Sequence, residues 1–150
     1  MGVKVSKSIK VNAPVEQAFA YIADWRNATK VQTNFSSFKP VDADALGPGV
    51  VVAVKGRFHG LPIKVRMKIT EFEPPRRMVG LVSGMLKSVN AWLFEPLEDG
   101  RTKVTFVNEY HIPAPLMMLL GRNSFIDREV TQMTEDALRR LKRLLENGSD

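Results

Sequence analysis

Apolar residues recur at two spacings along this chain: every second position through most of the first hundred or so residues, and every third or fourth in the last third. Val3 to Val11 alternates as a first strand, and Asn12-Ala13-Pro14 stops it, with Asn12 placed to cap a helix and Pro14 at its start. Val15, Ala18, Phe19 and Ile22 then follow helical spacing, and Asp24 can cap a second short helix running to about Val31. Six further strands are expected: Phe35 to Val41, Val50 to Arg57, Ile63 to Phe72, Met78 to Ser83, Lys87 to Glu95 and Arg101 to Tyr110. Gly47-Pro48-Gly49, Gly60-Leu61-Pro62, Pro74-Pro75 and the Asp99-Gly100 pair supply the turns between them.

The pattern then changes period. A proline-punctuated, methionine-rich lead-in, Ile112 to Leu120, runs into a long amphipathic helix reaching about Asn147. Its apolar stripe is Ile126, Val130, Met133, Ala137, Leu141 and Leu144, with Arg128, Glu135, Asp136, Arg139 and Arg143 opposite. Gly121 reads as a kink and Gly148 as the helix end. The whole is α+β: a seven-stranded antiparallel sheet, two short helices after its first strand, and one long helix laid against it. No repeat, linker or low-complexity block interrupts the order, so one domain is expected over 1–150. A long helix against a curved sheet is one way to enclose an apolar cavity.

Composition narrows the chemistry. There is no cysteine among the 150 residues, so disulfides, thiolate metal sites and a thiol nucleophile are excluded. No signal-like start and no run of roughly 20 apolar residues appears, and a cytoplasmic location is expected. Gly2 with Ser6 fits the loose myristoylation pattern, which matches often by chance. The net charge of +6 raises anionic membranes and nucleic acid as partners, but the cations are dispersed. Lys64, Arg66 and Lys68 form one wet strand face, and Arg139, Arg140, Lys142 and Arg143 lie near a helix end whose dipole favours them. Solvated basic faces follow, with weak anionic-membrane contact as the partner left open and no specific nucleic acid.

Ser8-Ile9-Lys10-Val11-Asn12-Ala13-Pro14-Val15-Glu16-Gln17-Ala18-Phe19, the Asp24 and Asn27 pair, and Leu93-Phe94-Glu95-Pro96 followed by Gly100-Arg101-Thr102-Lys103-Val104-Thr105 share their character with one known group. With the order of elements, they resemble the helix-grip fold of the START and birch-pollen-allergen superfamily, especially its polyketide cyclase/dehydrase branch. The resemblance covers nearly the whole chain. It implies a ligand between the concave sheet face and the terminal helix, held by Met67, Ile69, Trp92, Phe94, Phe106, Asn108 and Tyr110 from strands. Met118, Phe125 and Met133 would come from the helical part. Two departures count against cyclase chemistry. Val31 stands where many members have a tryptophan, with Trp25 displaced from it, and the inward positions of the middle strands are the apolar Met67, Ile69 and Leu81 rather than arginines.

The same apolar side chains could instead fill a solid core. Asn108 separates the alternatives best, since a polar side chain on a buried strand face needs a partner, which a ligand or trapped water could supply. His59 and His111 are the only histidines, no metal-ligand spacing exists and no cofactor is expected. His111, beside Tyr110 at the expected cavity mouth, is the candidate general base, with Tyr110 its partner. Glu109 should face the other way. The leading expectation is binding or transport of a hydrophobic small molecule (a lipid, an isoprenoid quinone or a polyketide-like aromatic), gated by Ile112 to Leu120 and the Gly60-Leu61-Pro62 loop. A cyclase or dehydrase, and a peripheral membrane or nucleic-acid-binding module, are the alternatives.

Overall fold

Alternation becomes seven strands in the computed structural model, which describes residues 2–120 and 123–147. They are β1 (Gly2–Val11), β2 (Phe35–Pro40), β3 (Val51–Phe58), β4 (Leu61–Glu73), β5 (Arg77–Gly84), β6 (Lys87–Pro96) and β7 (Thr102–His111). Between β1 and β2 lie α1 (Val15–Ala23), a single 3-10 turn (Trp25–Asn27) and α2 (Ala28–Val31); α3 (Ala114–Leu120) and α4 (Asn123–Asn147) follow β7. All pairings are antiparallel, in the spatial order β1-β7-β6-β5-β4-β3-β2. Only the β1–β7 pairing joins strands distant in sequence, which wraps the chain's first strand beside its last.

Register is fixed by the wet and dry faces of β4. Ile63, Val65, Met67 and Ile69 are buried while Lys64, Arg66, Lys68 and Thr70 are exposed, the one-sided burial an antiparallel sheet allows. Past Ile69 the pairing slips, so Phe72 rather than Glu71 turns inward and meets Phe19 edge-on at 5.5 Å. A second irregularity separates Phe35 from Ser37 in β2. Such bulges bend a sheet locally. At Gly56 a Cβ would lie 2.4 Å from the Asn34 carbonyl oxygen, so only glycine lets the start of β2 cross β3 there.

Three local expectations are corrected. Gly60-Leu61-Pro62 is not a loop: the turn is His59-Gly60 alone, with φ 55° and 77°, a two-residue hairpin connection, and Leu61 and Pro62 already pair with Phe58 and Arg57. Asn12 does not cap α1. Pro14 holds the cap position, and the Asn12 backbone N–H goes instead to Glu146 Oε2 at 2.7 Å, tying β1 to the end of α4. Asp24 does cap, accepting from the Arg26 N–H, but what it starts is the 3-10 turn that leads into α2. Gly121 and Gly148 lie outside the described residues.

The amphipathic stripe of α4 packs chiefly on β1, less on β7 and α2. Ile126, Val130, Ala137 and Leu141 are fully buried there, and Met133 and Leu144 are half-buried against the same core. The helix therefore covers one side of the sheet. α1 and α2 cover the side toward β6 and β2.

Candidate functional site

Because the long helix lies over the β1 side, the concave face of β3 to β6 is roofed by short helices. A cavity persists there. Its sheet wall carries Val54, Val65, Met67, Ile69, Val82 and Trp92, and Ile22, Ala28 and Val31 close it from α1 and α2. At one end sit Gln32, Asn34, Phe35 and Phe38, all half-buried, so the cavity reaches solvent between α2 and β2. At the other end are Leu86, Ser88, Asn90 and Tyr110. Its unfilled volume is about 60 Å³, room for several waters. Among the described residues no charged side chain lines it.

Gly80 lines the wall without a side chain, and Met67 occupies the position its Cβ would take: Sδ lies 2.5 Å from that point. Met67 and Met78 are unbranched and adapt their shape at low cost, so the wall on this side can move. Trp92 is held flat by Phe106 behind it, ring centroids 3.7 Å apart and planes 9° from parallel. Tyr110 stacks on Phe58 at 5.3 Å.

The inner end is polar and ordered. Ser88 Oγ donates to Asn90 Oδ1 at 3.3 Å, and Asn90 Nδ2 donates to Asn108 Oδ1. Asn108 Nδ2 donates to Thr134 Oγ1 at 2.8 Å, whose hydroxyl donates to the Val130 carbonyl at 2.7 Å. Asn108 and Thr134 are each at most 2% exposed, so the bonds from Asn108 to Thr134 and from Thr134 to Val130 form where no bulk water competes, while Asn90 is half-buried. Burial pushes the Tyr110 hydroxyl up to about 12, outweighing a hydrogen bond from Asn90 that pulls it down; the nearby Glu129 charge adds to the rise. Tyr110 is thus neutral throughout the physiological range and can donate but not abstract a proton.

Of the residues expected to line a site, Met67, Ile69, Trp92 and Tyr110 come together in this cavity. Phe94 does not; it packs in the core against Phe19 at 5.4 Å. Phe106 lies behind Trp92, and Asn108 is satisfied by Asn90 and Thr134 rather than by a ligand or water. Met133 lies half-buried on α4, packed against the core, and does not line the cavity. Leu81 is 47% exposed: Val82 opposes Met67 on the inner face, so Leu81, opposite Lys68, must point outward. Met118 at 87% and Phe125 at 52% exposure face away from the core; the buried positions near them are Ile112, Leu116 and Ile126. Among the described residues, none of Ile112 to Met118 lines the cavity; the side chains of Leu119 and Leu120, the rest of the expected gate, lie outside the described ones.

His111 is likewise displaced. As the last residue of β7 it has the opposite parity to Tyr110 and sits on the outer face, 3.7 Å from Glu109. His59 instead makes the tighter contact: its backbone N–H donates to Glu129 Oε2 and its ring Nδ1–H to Oε1, both at 2.5 Å, binding the β3–β4 turn to α4. Ser88 and Asn90 were not anticipated, although they share strand parity with Trp92 and Phe94. Among the described residues no three His, Asp or Glu side chains converge, and no helix is long and apolar enough to cross a membrane.

Residues 2–146 match the family described as polyketide cyclase / dehydrase and lipid transport. Two uncharacterized proteins of Mycobacterium tuberculosis are each 28% identical over 109 residues, 72% of this chain and 48% of theirs. The chain thus spans about half the length of the curated relatives it matches. Among solved structures, a Thermus thermophilus protein superposes with TM-score 0.81 at 16% identity, covering 98% of this chain and 99% of its own. A START superfamily protein of Mycobacterium smegmatis gives 0.80 at 11% identity, covering 97% and 99%. An aromatase/cyclase of Streptomyces gives 0.78 at 13% identity, covering 100% of both chains.

Proposed function

Because this chain belongs to the polyketide cyclase/dehydrase and lipid transport family and has its helix-grip fold, we propose that it binds or carries a small hydrophobic molecule in the cavity beneath α1 and α2. The observation that carries this reading is the cavity's composition: an apolar, uncharged interior, open between α2 and β2 and ending in three polar side chains. Burial of the ligand's apolar surface supplies the affinity, at about 25 cal/mol per Å² removed from water. Ser88, Asn90 and Tyr110 orient its polar end. Native mass spectrometry of the purified protein, followed by solvent extraction, tests the reading; it predicts a copurified hydrophobe or saturable uptake of an added one. A protein that binds no member of a lipid and aromatic panel contradicts it.

The cyclase or dehydrase reading is less well supported. Of its two candidate residues, Tyr110 remains a proton donor to the cavity, while His111 lies on the outer face and, among the described residues, no cavity side chain replaces it as a base. The exposed Lys64, Arg66 and Lys68 are compatible with weak anionic-membrane contact, which salt would abolish.

A further inference from the structure

The hydrogen bonds at the cavity's inner end have only one possible direction. The Val130 carbonyl can only accept, so the Thr134 hydroxyl must spend its single hydrogen on it. Thr134 Oγ1 then accepts from Asn108, which fixes the Asn108 amide with its oxygen toward Asn90. Asn90 must therefore present Nδ2 to Asn108 and Oδ1 to Ser88, and Ser88 gives its only hydrogen to that oxygen. What remains for a ligand is set by subtraction. Ser88 Oγ keeps its lone pairs and is an acceptor. Tyr110 lines the same cavity, burial keeps its hydroxyl protonated, and its O–H is a donor.

An acceptor and a donor lining one cavity, with no charged side chain among the described residues in its lining, match one kind of polar end. A hydroxyl satisfies both groups, donating to Ser88 and accepting from Tyr110. A carbonyl uses only Tyr110 and leaves the Ser88 oxygen without a hydrogen. A carboxylate or phosphate would be buried with no cation among the described residues of the lining and with the Glu129 charge near Tyr110, which costs far more than a hydrogen bond returns. We infer that the cavity selects apolar molecules ending in a neutral hydroxyl, a phenol or an alcohol, and rejects their acid counterparts. This rests on the reading of the cavity as a ligand site and names the ligand class. Thr134, from α4, is a positioning residue: it sets the direction of the chain without lining the cavity.

The test holds the skeleton constant and changes the polar end. Naphthalene, 2-naphthol and 2-naphthoate are titrated into the intact protein at neutral pH, read by the fluorescence of Trp92 in a Trp25→Phe background. The inference predicts that 2-naphthol binds about tenfold tighter than naphthalene, the worth of one or two neutral hydrogen bonds, and that 2-naphthoate does not saturate. Tyr110→Phe, checked for folding by thermal melting, should bring the ratio of 2-naphthol to naphthalene affinity down toward one. Equal affinity for 2-naphthol and naphthalene, or 2-naphthoate binding as tightly as 2-naphthol, overturns the inference while the ligand-site reading stands. Binding of none of the three overturns both.

Discussion

Gly80 marks where one methyl group decides how much room the cavity keeps. A Cβ there would meet Met67 Sδ at 2.5 Å and Cγ at 2.7 Å, both on a flexible side chain, so the backbone need not move. Gly80→Ala should therefore cost little stability, about 1 kcal/mol or less, while pushing Met67 into the cavity. Naphthalene affinity should fall about tenfold with the melting temperature nearly unchanged; unaltered affinity would show that Met67 does not bound the site. Tyr110 offers a second prediction, in pH. Its pKa rises from 10.0 to about 12 on folding, so the folded state holds the proton more tightly and stability falls as pH rises between those values. The loss should approach about 2–3 kcal/mol. Denaturant melts of wild type and Tyr110→Phe should diverge across that interval, and parallel curves would contradict the burial. Much at this scale was legible: Met67, Ile69, Trp92 and Tyr110 follow from strand parity. Leu81 did not, because a run of Met78, Val79, Gly80 and Val82 gives no alternation to read, and only the pairing of Val82 with Met67, and so of Leu81 with Lys68, fixes its face.

At the scale of elements, the seven strands and the long helix were legible because each has an unbroken period, and their ends were not. The β3–β4 turn shows why. Pro62 lacks an N–H and reads as a loop, yet it pairs opposite Arg57, whose own N–H goes to the Asn34 carbonyl at 2.9 Å. That turn is then fastened to α4 by Glu129, a contact between residues 70 apart that no local pattern signals. Glu129→Ala removes a charged acceptor from two donors and should cost about 1–2 kcal/mol. Hydrogen exchange should accelerate at His59 and its neighbours in the turn, with β5 and β6 unaffected; unchanged protection would mean the tie contributes nothing. The same limit applies to the cavity. Amphipathicity shows that α4 buries a face, but not which strands it covers.

For the molecule as a whole, a seven-stranded sheet is wider than one helix can roof. α4 packs on the β1 side, and α1 with α2 roofs β3 to β6 less completely, leaving the cavity on that side. Expectation placed the ligand under the long helix, with a methionine-rich gate; the geometry supports a site beneath the short helices, reached past Phe35 and Phe38. The most direct test is methyl NMR of the intact protein during titration with naphthalene. The account predicts saturable shifts at Val54, Val65, Met67 and Val82, with Ile126, Val130 and Leu141 beneath α4 unmoved. Shifts confined to the α4 methyls, or no saturable shift at all, would contradict it.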